Sequence, residues 1–276
     1  MSLLKRFCSH FTGNALAQRA LEYNVRFSQY LMGVGAGTKV HSSGELGLVR
    51  LLQSWPSRPL RVFDVGANVG QFAGLLRENF QQRDIELHSF EPGAEAFAQL
   101  QQSLADWPAA RANRCALGSE PGLATLYSDV AASGLSSLIQ RDLEHVGKSM
   151  TLCQVVQVDT VDAYCERHGI RHIDLLKIDV EGHECEVLAG AAKLFERGTV
   201  RAVTFEFGGC NIDSRTYFRD FWQFFREQGM TLHRLTPRGY LRRIDRYRES
   251  HEQFVTTNYL AIAPEQAATL EHRRAA

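Results

Sequence analysis

The stretch KIDVEGHE, from Lys177 to Glu184, gathers Asp179, Glu181, His183 and Glu184, four groups able to move a proton or hold a cation. The apolar run IDLLKIDV leads into it. Its pattern predicts Asp179 at the carboxyl end of a strand, Gly182 in the turn, and Glu181, His183 and Glu184 at the start of the next helix. The positive end of a helix dipole disfavours an imidazolium, so His183 is expected neutral and able to accept a proton as general base. Asp179 or Glu181 would orient it or face positive charge on a ligand. Asp179, Glu181 and His183, with Glu206 from a later strand, are also ordinary cation ligands. His183, however, lies past the glycine turn, and no metal is expected. Lys177 sits inside the strand run, where an ammonium needs a carboxylate or an outlet to water.

A second constellation is VFDVGANVGQFA, from Val62 to Ala73. A short apolar run ends at Asp64 and is followed by Gly66, Asn68 and Gly70 before a helical segment. Glycine lets the backbone turn tightly and approach a ligand, and the helix start offers unpaired N–H donors. A dinucleotide loop would read G-x-G-x-x-G, and its middle glycine is missing. Asn68 stands there instead, a residue that tolerates positive φ. About two dozen residues on, SFEPGAEAF places Glu91 at a strand end, where a carboxylate can accept both hydroxyls of a ribose.

The elements that must position these groups alternate. RVFDV, IELHSF, ARANRCAL, IDLLKIDV and VRAVTFEF read as strands with helical segments between most of them, which implies a mostly parallel, doubly wound α/β sheet. LATLYSD and LCQVVQVD read as an inserted hairpin or pair of edge strands. A helix from Ser214 to Glu227 and strands at MTLHRL and FVTTNYLAIA close the sheet antiparallel. The phenylalanine-rich spacing of that helix marks a core face, and the arginines from Arg234 to Arg248 read as a solvated hairpin. In such a sheet ligands lie at the strand ends where the order reverses. Ala116 and Leu117, closing the third strand, are expected against an adenine. Ahead of the sheet, Asn14 to Met32 reads as an amphipathic helix, GVGAGTKVHSSGE as a connector or lid, and Gly44 to Gln53 as a second helix.

The bounds agree with one large domain in 276 residues: an N-terminal helical extension or lid over residues 1–60, the main domain over 61–265 and a tail over 266–276. Net charge is zero, so nothing steers the whole chain toward nucleic acid or membranes, and any charged partner must be read by a local patch. No apolar run is long enough for a membrane span, and no signal peptide is read, which makes the cytoplasm the expected location. The six cysteines show no C-x-x-C pair and are expected reduced.

The order Asp64, Gly66, Asn68, Gly70 matches the loop that methyltransferases place around S-adenosylmethionine. Taken with FEPGAEAFAQL, ANRCALG, GLSSL, VDTVDAY, IDLLKIDVEGHECEVLAGA and TFEF, it makes the chain resemble the FkbM family of S-adenosylmethionine-dependent methyltransferases over Phe63 to Phe207. Gly93 stands where the family often has proline, and VDTVDAY replaces its commoner T-L-D. The resemblance implies a class I, Rossmann-like methyltransferase fold with a seven-stranded mixed sheet and O-methylation of a sugar, glycan or secondary-metabolite hydroxyl. Asp64, Gly66, Asn68, Gly70, Glu91, Ala116, Leu117 and Asp179 would bind the cofactor, and His183, Asp179 and Glu181 would act in catalysis. Ser136, Ser137 and Glu206 would meet the acceptor. The competing readings are a nicotinamide-dependent oxidoreductase and a nucleoside-binding module without chemistry.

Overall fold

The computed structural model describes Cys8 and residues 12–36, 44–55 and 59–267. Its centre is an eight-stranded sheet of β1 (Leu60–Val65), β2 (Ile85–Phe90), β3 (Ala110–Asn113), β7 (Ile173–Ile178), β8 (Val200–Phe207), β9 (Thr231–Leu235), β10 (Leu241–Arg243) and β11 (Thr257–Ile262). The order is β10-β9-β11-β8-β7-β1-β2-β3, with β3, β2, β1, β7 and β8 parallel and β11 antiparallel to both its neighbours. Seven of these strands follow the class I methyltransferase order. The eighth, β10, is a short hairpin partner of β9. Strand order reverses between β1 and β7, so a crevice opens at their carboxyl ends.

Both faces of the sheet are covered, because each central strand is apolar on both sides. On one face Phe63, Val65, Leu176 and Phe205 meet α5 (Val161–His168) and α9 (Phe218–Glu227). There Phe205 stacks on Phe221 with ring centres 4.6 Å apart, as the helical spacing of the phenylalanines leads one to expect. On the other, Leu60, Val62 and Leu175 pack with α2 (Glu45–Gln53), α3 (Gln71–Asn79) and α4 (Ala94–Leu104). α2, grouped by sequence with the N-terminal extension, is thus built into the core through Leu48, Leu51 and Leu52. The lid reading of residues 37–43 and the tail beyond Ala267 lie outside the described residues. α1 (Ala15–Met32), capped by Asn14, has no buried residue.

Three boundaries differ from expectation, the last being FVTTNYLAIA, whose strand begins at Thr257, after Phe254 at a left-handed φ of 49°. ARANRCAL is not one strand: it splits into β3 and β4 (Ala116–Leu117), and β4 joins β5 (Gly122–Ser128) and β6 (Leu152–Asp159) in a separate three-stranded sheet. Past Asn113 the chain pairs with β6 rather than β2, held by the Gly118 N–H donating to the Asp159 carbonyl at 2.9 Å. The helix expected from Ser214 begins at Phe218, because Arg215 takes a left-handed φ of 56° and separates it from α8 (Cys210–Ser214). The arginine-rich stretch forms the β9–β10 hairpin, with Arg242 and Arg243 exposed. All six cysteines are free.

α2 meets that hairpin through two glycines. A Cβ on Gly47 would stand 2.2 Å from the Gly239 Cα, closer than any packing allows. Gly47→Ala should therefore destabilise the chain by about 1–3 kcal/mol in urea denaturation. Gly74, inside α3 with nothing within 4 Å of a built Cβ, should gain roughly 0.5–1 kcal/mol as alanine.

Candidate active site

At the strand-order reversal, Asp64 and Lys177 stand opposite each other in the β1–β7 ladder. Lys177 Nζ lies 3.4 Å from Asp64 Oδ1 and 3.2 Å from Asp179 Oδ2, and 5.5 Å from the centre of the Phe72 ring. Burial by itself would lower the Lys177 pKa, but the carboxylates of Asp179 and Asp64 overcome it and hold the ammonium above its usual range. Asp64 is fully buried, and burial raises its pKa even against Lys177.

The glycine loop wraps the next corner. Gly66, Asn68 and Gly70 all have positive φ, at 81°, 46° and 91°. A Cβ on Gly66 would stand 1.8 Å from the Asp179 carbonyl oxygen, so the two motifs touch backbone to backbone. Glu91, 6% exposed at the end of β2, accepts from the Asn68 N–H at 3.0 Å and the Gly93 N–H at 2.7 Å. Burial pushes its pKa up to about 7, those two N–H donors pulling the other way.

After β7 the chain turns through Glu181, a non-glycine residue at φ 55°. Three contacts hold it in this unfavourable conformation. Its carbonyl accepts from Ser137 Oγ at 2.8 Å, its carboxylate pairs with Arg141, and the following Gly182 N–H donates to the wholly buried Glu184 at 3.0 Å. Burial and then Asp179 push Glu181 up to about 8, with Arg141 opposing, and burial pushes Glu184 up to about 7. Glu206, on β8, is raised well above the usual carboxylate range by burial and by Asp179, Glu181 and Glu184.

Two cavities adjoin here. The smaller is lined by Gly66, Glu91, Ala116, Leu117, Asp179 and His183 among others, the larger by Lys177, Asp179, Glu181, Glu206, Phe254 and Val255 among others. In space between atoms, open solvent included, they measure about 530 and 2090 Å³. Asn68, Asp179 and Glu181 line both. The loop between β5 and β6 roofs the junction, fastened by Asn68 Nδ2 donating to the Ser133 carbonyl at 3.0 Å and by paired backbone bonds between Tyr127 and Ser137.

The sequence-predicted residues therefore assemble, with a division of place. Asp64 sits beneath the site on Lys177 and lines neither cavity. Gly70 caps α3 and likewise lines neither. Ala116 and Leu117 line the smaller cavity. Ser136 and Ser137 face the smaller cavity, not the larger, and their hydroxyls bond to protein: Ser136 to Ser128 and Ser133, Ser137 to Glu181. His183 also lines only the smaller cavity, where a Cβ on Gly118 would stand 3.1 Å from its Nε2. It is the N-terminal cap residue of α6 (Glu184–Ala189), and burial, with Glu186 opposing, lowers its pKa. Glu181, Glu206 and Cys210 bring ligand-type atoms within 4.8 Å of one another; His183 is outside that group. Arg141, Phe254 and Val255 carried no motif signal.

Residues 64–232 match the Methyltransferase FkbM domain. The chain belongs to the FkbM methyltransferase family. It is similar to Methyltransferase 1 of Beauveria bassiana, 30% identical over 146 residues that cover 47% of this chain and 57% of that protein. It is also similar to the 31-O-demethyl-FK506 methyltransferase FkbM of Streptomyces tacrolimicus, 34% identical over 157 residues, 47% of this chain and 58% of that one. The chain thus spans somewhat under three fifths of the length of both relatives. Among solved structures, Methyltransferase FkbM from Methylobacillus flagellatus KT superposes with a TM-score of 0.44 at 14% identity, covering 75% of this chain and 45% of that one.

The family's cofactor is S-adenosylmethionine, and the residues of the smaller cavity fit it. Leu117, Phe90 and Leu126 offer an apolar wall for a base, Glu91 a buried carboxylate for ribose hydroxyls, and Gly66 bare backbone where a Cβ has no room. Ribose hydroxyls would donate to an ionised Glu91. Cofactor affinity in calorimetric titration should accordingly fall as pH drops through about 7, and Glu91→Gln should flatten that dependence.

Proposed function

We propose that the chain is an S-adenosylmethionine-dependent O-methyltransferase, with cofactor in the smaller cavity and a small-molecule or glycan hydroxyl acceptor in the larger. The observation that carries this reading is that the two cavities meet at Asp179 and Glu181. The similarity to a protein named as a 31-O-demethyl-FK506 methyltransferase favours oxygen as the acceptor atom. A nicotinamide oxidoreductase fits less well, because Asn68 replaces the glycine that a dinucleotide loop requires.

When bound, S-adenosylmethionine supplies an electrophilic methyl group on a sulfonium sulfur. The protein's task is to hold the acceptor oxygen in line, exclude water and take the hydroxyl proton. Leu143, Val146, Phe254 and Val255 supply the apolar walls of the acceptor cleft. We assign the proton acceptor to Glu181 instead of His183, since Glu181 reaches both cavities and His183 only one. A carboxylate pushed up to about 8 is a far better base than an ordinary one, and Arg141 on Oε2 leaves Oε1 to receive the proton. Glu206, raised well above the usual carboxylate range by burial and by Asp179, Glu181 and Glu184, can hydrogen-bond the acceptor hydroxyl as its substrate-binding partner.

Glu181→Gln should lower turnover by about 10²–10⁴-fold with cofactor affinity within about twofold. In the wild type kcat/KM should rise with pH through about 8, as the base loses its proton. His183→Ala should weaken cofactor binding more than turnover at saturating cofactor. Full turnover in Glu181→Gln, with turnover abolished in His183→Ala, would return the base to His183.

A further inference from the structure

α1 carries eight large apolar side chains, from Leu16 to Met32, that are 41% to 74% exposed, and no residue of the helix is buried. At 3.6 residues per turn, Gln18, Arg19, Glu22, Arg26 and Gln29 share one polar arc about 100° wide. The apolar side chains spread over the rest, interrupted by Asn24 and Ser28. A helix pairing with another helix needs a narrow apolar seam. A helix lying in a bilayer interface buries a broad one and keeps a narrow polar strip outward. Arg19 and Arg26 fall at one border of the polar arc, beside Tyr23 and Tyr30, where their stems can lie along apolar surface while the guanidinium reaches headgroups.

The charge is distributed to match. The first 36 residues hold Lys5, Arg6, Arg19 and Arg26 against Glu22 alone, although the whole chain is neutral. Such a segment complements an anionic surface; a second copy of it would bring like charges together. None of the helices among the described residues is long and apolar enough to cross a membrane, so α1 would lie on the surface.

We propose that α1 docks this protein on an anionic lipid surface. The segment after the helix fixes where the surface would stand. Val34 is buried, and the Gly35 N–H donates to Thr257 Oγ1 at 3.3 Å, next to Val255 and Thr256 on the wall of the larger cleft. Resting on the reading of that cleft as the acceptor site, the helix presents it to amphiphiles whose polar part carries the hydroxyl.

The test is flotation of the full chain with phosphatidylcholine vesicles, with and without about 30% phosphatidylglycerol. Binding to the anionic vesicles should exceed binding to the neutral ones by roughly tenfold or more, weaken with salt, and vanish in the Phe27→Glu/Leu31→Glu variant. That variant should keep the wild-type affinity for S-adenosylmethionine, which shows that it is folded. Wild-type protein that stays with the soluble fraction, or a variant that floats equally well, overturns the proposal. So does a dimer, seen by light scattering without vesicle binding, that the same substitutions dissolve. Vesicle binding is read without cofactor, so it stands or falls separately from the enzymatic reading.

Discussion

Carboxylates crowd the carboxyl ends of four neighbouring strands, and the rest of the site is arranged around their cost. Asp64, Glu91, Asp179 and Glu206 arrive from β1, β2, β7 and β8, and the turn after β7 adds Glu181 and Glu184. Lys177 and Arg141 are the cations in direct ion pairs with members of this group. Leaving one buried charge without its partner costs about 3–5 kcal/mol, so Lys177 between β1 and β7 fixes the crevice at the strand-order reversal. Carboxylates without such a direct ion pair have their pKa values raised by burial. Burial raises Glu91, Glu184 and Glu206, and Glu181 rises even beside Arg141. The same crowding that strains the fold supplies acid and base groups poised near neutral pH.

Backbone contacts convert this cluster into a shaped site. Gly66 lets the first loop lie against the Asp179 carbonyl, and Glu91 ties that loop to the end of β2 through the Asn68 N–H. Asn68 and Ser137 then fasten the β5–β6 loop over both motifs, one through the Ser133 carbonyl and the other through the Glu181 carbonyl. The serines of GLSSL act here as structural ties. The Ser137 hydroxyl stabilises the left-handed turn that aims Glu181 at the junction of the cavities, while the Ser136 hydroxyl ties Ser128 to Ser133 within the roofing loop.

The sheet and its reversal point were legible in the sequence because β1, β2, β7 and β8 are short runs rich in apolar and β-branched residues that end in an acid or a glycine turn. The strand-end residues came with them. Direction around a helix start did not: the sequence places His183 at the start of the helix, the structure makes it the cap residue just before α6, and neither spacing nor residue type says on which side it projects. The split between β3 and β4 was hidden too, since an apolar run does not reveal which neighbour it will pair with. Arg141 lies in a stretch without periodicity and Phe254 to Asn258 in the last strand read from the sequence, and only the fold brings both to the larger cleft. For α1 the spacing foretold the helix, while the exposure of every face of it needed coordinates: none of its residues is buried.

The most direct test of the two-cavity account is a crystal structure of the chain with S-adenosylhomocysteine. The account predicts ribose hydroxyls on the Glu91 carboxylate, the base against Leu117, and the sulfur at the opening shared with the larger cleft, beside Asp179 and Glu181. A nucleoside bound away from Glu91, or a sulfur closed off from the larger cleft, would contradict it.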